Sequence, residues 1–230
     1  MIDGQILKDR AARAGADLCG IASLDRFDAA PEGFHPRDIL PETRSVIAFA
    51  RRVPDTVFRL GTKVPYTHAD GVVLTEVERL ALALVRDLEE AGHLAVAVPS
   101  EPYEYWDAET QTGRGILSLK HVAHLAGLGA ITRNHLLTNR RFGNRLKLGA
   151  ILTDALLDAD PIDEAPRCPP RCEICRTGCP TQAIQEDTVL QKRCRSRAGV
   201  NAKGYFLYQC HACRSQCPMS KGLDSRGLGR

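Results

Sequence analysis

Aromatic side chains are scarce in this chain of 230 residues, which has six Phe, five Tyr and one Trp. A surface that stacks many nucleic-acid bases needs more of them, so nucleic acid is not an expected partner, although it is not excluded. No segment reaches the roughly 18 consecutive apolar residues of a membrane span. The N-terminus also lacks a signal-peptide core and a twin-arginine pair. We therefore predict a cytoplasmic protein with no membrane partner.

Cysteine is almost missing from residues 1–167, which contain only Cys19, while the other eight cysteines fall between residues 168 and 217. Cys19 lies in the apolar segment ADLCGIA, which predicts a buried structural thiol. In a reducing cytosol, eight clustered cysteines are better candidates for metal ligands than for disulfides.

Acidic residues are absent from residues 110–153, which hold seven basic ones, whereas residues 154–166 hold five acidic residues and no basic ones. Residues 167–230 hold 12 basic and four acidic residues, although the whole chain has a formal net charge of only +3. Such blocks indicate separate modules. We predict a cofactor or substrate domain over residues 1–160 and a cysteine-rich domain over residues 161–230.

Hydrophobic periodicity predicts helices that alternate with short strands, which is typical of an α/β sheet. Proline and glycine predict an irregular excursion over residues 53–70, a long loop over 99–115 and a linker over 153–166. The predicted helices are 3–14, 72–91 and 116–126. The predicted strands are 16–22, 44–50, 94–98, 135–138 and 145–153, the last two being joined by the turn NRRFGN.

The eight cysteines form a pseudo-repeat. The first group reads Cys-x3-Cys-x2-Cys-x3-Cys-Pro, and the second has one remote cysteine followed by Cys-x2-Cys-x3-Cys-Pro. In a two-cluster ferredoxin module, the cysteine before each proline ligates the other cluster. We therefore predict two [4Fe-4S] clusters, one held by Cys168, Cys172, Cys175 and Cys217, and the other by Cys179, Cys194, Cys210 and Cys213.

A pair of zinc sites is the alternative, because the Cys-x2-Cys pairs alone fit a zinc ribbon. Zinc leaves both Cys-Pro terminations unexplained. The pattern departs from the usual bacterial run in its first gap of three residues and in the 15 residues that separate Cys194 from Cys210.

Several segments resemble the epoxyqueuosine reductase family and the related reductive dehalogenases. They are GADLCGIA, AGLGAITRNHLLTNRRFGNRLKLGAILTDALL, CEICRTGCPTQAI and CHACRSQCP. The resemblance implies a reductase-like α/β domain that holds base-off cobalamin, followed by a ferredoxin-like module with two [4Fe-4S] clusters that reduce it. In this family a helical-repeat region follows the clusters, whereas only 13 residues follow Cys217 here, so we do not expect that region in this sequence. Gly113 also stands where the family places a catalytic aspartate.

The candidate catalytic residues are Tyr105, Lys120 and His121. Ser118, Lys120 and His121 match an S-x-K-H pattern that we associate with a short branch of this family. Tyr105 lies in a loop with Tyr103 and Trp106, which is interpreted either as a cofactor lid or as a loop pinned by its own aromatic rings.

The candidate cofactor-binding residues are Ser118, Arg133, Asn134 and Arg145. Arg133 and Arg145 belong to the basic stretch 110–153, which is interpreted either as an anion site or as a solvated face. His121 and His124 lie three residues apart on a predicted helix, so they either face one ligand or serve the structure.

The leading hypothesis is a cytoplasmic iron–sulfur oxidoreductase. A ferredoxin or flavodoxin would reduce the clusters, and electrons would reach cobalamin or a small-molecule substrate held by residues 95–150. The alternatives are a non-enzymatic electron-transfer partner and a tRNA-modifying reductase that acts with a second chain. A cavity lined by Ser118, Lys120, His121 and Tyr105 near one cluster would favour the enzyme, and failure of these four residues to line one cavity would count against it.

Overall fold

A four-stranded antiparallel sheet with the strand order β1-β2-β8-β3 organises the N-terminal part of the chain. The computed structural model describes residues 3–100, 104–164 and 168–223. The helices are α1 (Gly4–Arg13), α2 (Pro36–Ile39), α3 (Val64–Glu90), α4 (Leu119–Leu125), α5 (Ile174–Thr177), α6 (Gln191–Arg195) and α7 (Ala212–Ser215). The strands are β1 (Leu18–Ser23), β2 (Ser45–Arg52), β3 (Ala95–Val98), β4 (Tyr105–Asp107), β5 (Thr112–Arg114), β6 (Ala130–Ile131), β7 (Leu137–Thr138), β8 (Leu146–Thr153), β9 (Ala198–Val200) and β10 (Phe206–Tyr208).

Helices cover both faces of the sheet. Side chains alternate along β8, so that Leu152 packs towards α4 while Ile151 packs towards α1 and α3. Strand β1 approaches α4 so closely that a Cβ on Gly20 would lie 2.2 Å from the carbonyl oxygen of Ala126. The predicted α/β class is confirmed, and the strands of its main sheet are antiparallel.

Helix α3 begins at Val64, so the prediction of irregular structure up to residue 70 is wrong. Pro65 lies in the first turn of this helix, where a missing backbone N–H costs no hydrogen bond. The added turns place the buried carboxylate of Asp70 2.7 Å from the Lys147 ammonium group of β8.

The predicted long loop over residues 99–115 contains a hairpin of β4 and β5, in which Tyr105 pairs with Arg114. Tyr103 lies outside the described residues. Strand β7 pairs with β6 and not with β8. The predicted turn over residues 139–144 therefore connects two strands that belong to different sheets.

The acidic segment 154–164 is packed against the sheet, so its prediction as a linker is wrong. Ala155 and Leu157 are buried, and the Asp160 carboxylate accepts hydrogen bonds from the backbone N–H of Ile21 (2.8 Å) and from the Lys8 ammonium group (2.5 Å). The domain division at residue 160 stays a prediction. Among the described residues, no helix is both long enough and apolar enough to cross a membrane.

Replacing Asp160 with alanine should destabilise the fold by about 1–3 kcal/mol, because it leaves the partly buried N–H of Ile21 and the Lys8 ammonium group without this acceptor. Urea unfolding followed by circular dichroism measures the effect. Asp158→Ala is the matched control, since this nearby carboxylate is exposed and should change stability by less than about 0.5 kcal/mol. Equal unfolding midpoints for the two variants would contradict the packed segment.

Candidate functional site

The structure gathers the eight C-terminal cysteines into two groups, and none of the nine cysteines, all within the described residues, forms a disulfide. The first of these groups, named group I, contains the first three cysteines of the C-terminal region and the last one, and it lines one small pocket together with Thr132 and Asn134. Burial, reinforced by the neighbouring cysteines, raises the pKa of both Cys175 and Cys217. The members of group I are Cys168, Cys172, Cys175 and Cys217.

Group II combines Cys179, which follows the first group along the chain, with three cysteines of the second. Burial, opposed by Arg214 and reinforced by the other three thiols of the group, raises the pKa of Cys213 to about 11. Because these thiols influence one another electrostatically, they lie together. The members of group II are Cys179, Cys194, Cys210 and Cys213.

Hydrogen bonds to sulfur prepare Cys179 for the thiolate form. Burial alone would raise the pKa of Cys179, but backbone N–H groups, chiefly that of Ala183 at 3.3 Å, outweigh burial and lower this pKa. The backbone N–H of Ala212 similarly donates to the Cys210 sulfur at 3.5 Å. Such bonds are typical of sulfurs that ligate iron–sulfur clusters.

Four cysteine thiols are the donor set of a [4Fe-4S] cluster, and each group contains four cysteines. No three His, Cys, Asp or Glu side chains in the part of the chain that the structure describes converge closely enough to hold a single metal ion. Ligation of two clusters by these groups stays a prediction.

The loop between β6 and β7 holds both cysteine groups. The Arg133 guanidinium group donates to the carbonyl oxygen of Cys172 in group I at 2.7 Å. The buried Asn134 amide donates to the carbonyl oxygen of Cys213 in group II at 3.0 Å, and Thr132 donates to the other end of this amide. The two predicted cofactor-binding residues in this loop therefore fix the backbone of the cysteine segments.

Arg145 fixes the segment that follows Cys217. Its buried guanidinium group donates to the Ser220 hydroxyl at 2.8 Å and to the Asp55 carboxylate at 3.1 Å. Gly143, with φ of +62°, passes so close to this segment that a Cβ would lie 2.2 Å from the carbonyl oxygen of Ser220. Neither an anion site nor a solvated face describes this arginine, which is paired inside the fold.

A cavity of about 840 Å³ lies between α4, the loop after β1 and the end of β5. Ser118 and His121 are among its lining residues, and the Ser118 hydroxyl oxygen lies 2.6 Å from Nδ1 of His121. Burial, helped by the charges of Lys120 and His124, lowers the pKa of His121. The lowered pKa favours the neutral form of the His121 imidazole ring.

Four further ionisable residues line the same cavity: Arg26, Arg114, His124 and Asp187. Nδ1 of His124 lies 2.8 Å from the carbonyl oxygen of Gly129, so this nitrogen carries the proton and donates it. Asp187 reaches the cavity from the cysteine-rich segment. Sequence reasoning missed Asp187, because no local pattern links it to His121 of α4, which lies 66 residues earlier in the chain.

Lys120 and Tyr105 are not among the residues that line this cavity. The Lys120 ammonium group instead donates to the carbonyl oxygen of His135 at 3.3 Å, and burial lowers its pKa. Tyr105 is exposed and packs its ring against the Arg114 guanidinium group, while Trp106 packs against Arg195. The structure thus brings together two of the four predicted pocket residues.

Two hydrogen bonds join the cavity wall to the group II segment. Gln191, the first residue of α6, accepts from the backbone N–H of Gly113 at 3.0 Å and donates to its carbonyl oxygen at 3.1 Å. Gly113 lines the cavity, and Cys194 lies on the same short helix as Gln191. The position at which the family resemblance implies a catalytic aspartate therefore lies in the cavity wall, but it carries no carboxylate.

Searches against known proteins found curated relatives, although no protein family model matches the chain. Epoxyqueuosine reductase from Bacillus subtilis (strain 168) is 25% identical over an alignment of 260 positions, gaps included. The alignment covers 95% of this chain and 64% of the relative. The Staphylococcus aureus enzyme is 24% identical and covers 96% of this chain and 65% of the relative. The chain thus spans slightly less than two thirds of the length of these relatives.

Solved structures share the fold. Epoxyqueuosine reductase from Streptococcus thermophilus has a TM-score of 0.65 and 18% identity, covering 93% of this chain and 65% of the other. A catabolic reductive dehalogenase has a TM-score of 0.73 and 17% identity, covering 97% of this chain and 33% of the other. The resemblance predicted from the motifs is confirmed: the chain is a sequence relative of the epoxyqueuosine reductases and shares their fold and that of the reductive dehalogenases.

Proposed function

We propose that this protein is an iron–sulfur reductase with two [4Fe-4S] clusters and an electron acceptor in the 840 Å³ cavity. The observation that carries this proposal is the link between Gly113 in the cavity wall and Gln191 on the helix of Cys194. The curated relatives, which are named as reductases, support it. Residues 1–160 would hold the acceptor and residues 161–230 the clusters.

The chain itself would bind and orient the clusters through the contacts described above. When bound, they would supply one-electron transfer from a donor such as a ferredoxin or flavodoxin. Arg133 and Asn134 would hold the two ligand segments in register. Ser220, fixed by Arg145, would keep Cys217 in place within group I.

Cobalamin is the acceptor that we propose, because one dehalogenase neighbour is described as carrying out B12-dependent dehalogenation. The apolar side chains of Phe27, Phe34 and Leu125 offer a surface for a flat ring system, and Ser118 offers a hydroxyl group. A volume of about 840 Å³ suits a drug-sized ligand, so this cavity would enclose part of a corrinoid.

His121 is the group that we propose for handling protons during reduction. A neutral ring that accepts from the Ser118 hydroxyl at Nδ1 would carry its proton on Nε2 and would serve as a hydrogen-bond donor to a ligand. It would replace the carboxylate that is absent at Gly113. Lys120 and Tyr105 lie outside the lining and are not part of this proposal.

A tRNA-modifying reductase is the second candidate. It is favoured by the 25% identity with an epoxyqueuosine reductase over 95% of this chain. One solved neighbour also carries an epoxyqueuosine-modified tRNA stem loop. Incubation of the reduced protein with such a tRNA, followed by nucleoside analysis, tests this candidate: queuosine would support it, and unchanged epoxyqueuosine would contradict it.

Two double variants test how the eight cysteines are divided between the two groups. Cys172→Ala/Cys179→Ala removes one ligand from each group and should leave almost no iron after anaerobic reconstitution. Cys172→Ala/Cys217→Ala removes two ligands from group I alone and should retain about four of about eight irons. Iron analysis and absorption near 400 nm measure both.

Cys19→Ser is the control for the loss of a thiol. Burial raises the pKa of Cys19 to about 12, and the residue packs against the apolar layer of α1 and α3, so its replacement should leave the iron content unchanged. Half of the iron in the Cys172→Ala/Cys179→Ala variant would indicate that each group follows the sequence order, which contradicts the pairing seen here.

Filling the cavity tests the acceptor. Ala30 lines the cavity, so Ala30→Trp should weaken cobalamin binding at least tenfold without changing the iron content. Anaerobic titration with cobalamin, followed by its visible spectrum, measures the dissociation constant. Ala83→Trp, on the exposed side of α3, is the matched control and should bind like the unmodified chain.

A chain that holds both clusters and has no affinity for cobalamin would exclude the corrinoid proposal. Equal affinity of the Ala30→Trp and Ala83→Trp variants would exclude this cavity as its site.

A further inference from the structure

Among the described residues of the cysteine-rich segment, the most exposed apolar side chains lie on one surface. This surface, which we name the hairpin surface, consists of α6, the β9–β10 hairpin and Trp106, which packs against Arg195 of α6. Val200 and Phe206 face each other across the hairpin and are 67% and 50% exposed, while Tyr205 is 66% exposed. Neighbouring exposed apolar side chains surrounded by polar ones are typical of protein contact sites.

Along α6 and the hairpin this surface has charge of one sign, whereas Asp107 follows Trp106 in the sequence and Lys192 donates to the carbonyl oxygen of Glu109. Residues 191–208 contain five basic residues and no acidic one, and residues 188–223 extend this pattern without an acidic residue. Lys192, Arg193, Arg197 and Lys203 are exposed. A bound cluster with a charge of about −2 would offset fewer than half of these five cations.

Ring contacts hold the hairpin in place. The Phe206 ring packs edge-on against the Tyr208 ring at 5.0 Å, and the Tyr208 ring contacts that of Tyr66 on α3 at 5.9 Å. The backbone N–H of Tyr208 also donates to the hydroxyl of Thr67 at 3.0 Å. A hairpin that is fixed before a partner arrives loses little entropy on binding.

Cys194 lies within this surface and is the exposed member of group II. Electron transfer slows steeply with distance, so a protein that reduces the group II centre gains most by approaching where a ligand reaches the surface. Group II is also the group whose helix contacts the cavity wall. An electron that enters here is therefore next to the acceptor site.

We infer that the hairpin surface docks a small acidic one-electron carrier protein of the flavodoxin or ferredoxin class. This inference rests on the proposed function and adds the place of electron entry. One electron leaves the reduced carrier, which is oxidised, and the iron centre held by group II is reduced; no bond forms or breaks. Basic surfaces steer acidic carriers towards such transient contacts, which are small and sensitive to salt.

A nucleic acid is the other class of polyanion that this charge could attract. The exposed position of Cys194 favours the electron carrier, because a nucleic acid gains nothing from proximity to a redox centre. The experiment includes both classes.

Charge reversal tests the inference in the cluster-loaded protein. Arg197→Glu/Lys203→Glu changes two exposed cations and spares both neighbours of Cys194. Stopped-flow mixing with reduced flavodoxin or ferredoxin at low salt should show at least a tenfold lower second-order rate of cluster reduction. Reduction by photoreduced deazaflavin, a small molecule, should stay unchanged.

Calorimetric titration with oxidised flavodoxin provides a readout that needs no turnover. The double variant should bind at least tenfold more weakly, and salt should weaken binding to the unmodified chain but have little effect on the variant. Arg79→Glu/Arg86→Glu is the matched control, because it makes the same change in net charge on the exposed side of α3 and should behave like the unmodified chain.

Equal rates and affinities for the two double variants would overturn the docking site and leave the proposed reductase intact. Loss of tRNA binding by Arg197→Glu/Lys203→Glu, with carrier-dependent reduction retained, would assign the surface to nucleic acid and also overturn the inference. A chain that assembles no iron–sulfur cluster would overturn the proposed function and the docking site together.

Discussion

The exchange of Cys179 and Cys217 between the two cysteine groups is the constraint on which the C-terminal part of the structure depends. Cys179 ends the first sequence motif but lies with the cysteines of the second. Cys217 ends the second motif but lies with the cysteines of the first. A cluster in group I would join segments 42 or more residues apart, and one in group II would join Cys179 to cysteines 15 to 34 residues later, so that metal binding and folding of this region are coupled. Neither sequence motif therefore supplies all four members of a group by itself.

The α/β part of the chain supports this arrangement through two loops. Arg133 and Asn134 hold one backbone position in each group, and Arg145 holds the segment after Cys217. The same part of the chain forms the cavity, whose wall at Gly113 is bonded to the helix of Cys194. The two cysteine groups and the cavity are thus positioned by one framework, as the proposed electron-transfer function would need.

Much of the fold could be predicted from local patterns, because the strand at Leu146–Thr153 shows the alternation of a two-sided core and the cysteine spacing is unusually specific. The start of α3 was missed, since Pro65 is a helix breaker in an interior and a good residue in a first turn. Arg145 and Asp187 could not be placed by local reasoning. Their partners and their cavity are contributed by segments distant in sequence, and only the folded chain shows that one is paired and the other lines the site.

Electron paramagnetic resonance of the fully reduced chain tests the crossed two-cluster arrangement most directly, when combined with metal analysis of the same sample. Asn134 lines the group I pocket and bonds to the backbone of group II, so the two centres are neighbours. The account predicts about eight irons per chain and two [4Fe-4S] signals that are split or broadened by their magnetic interaction. Two zinc ions per chain without visible absorption, or one isolated iron–sulfur signal, would contradict it.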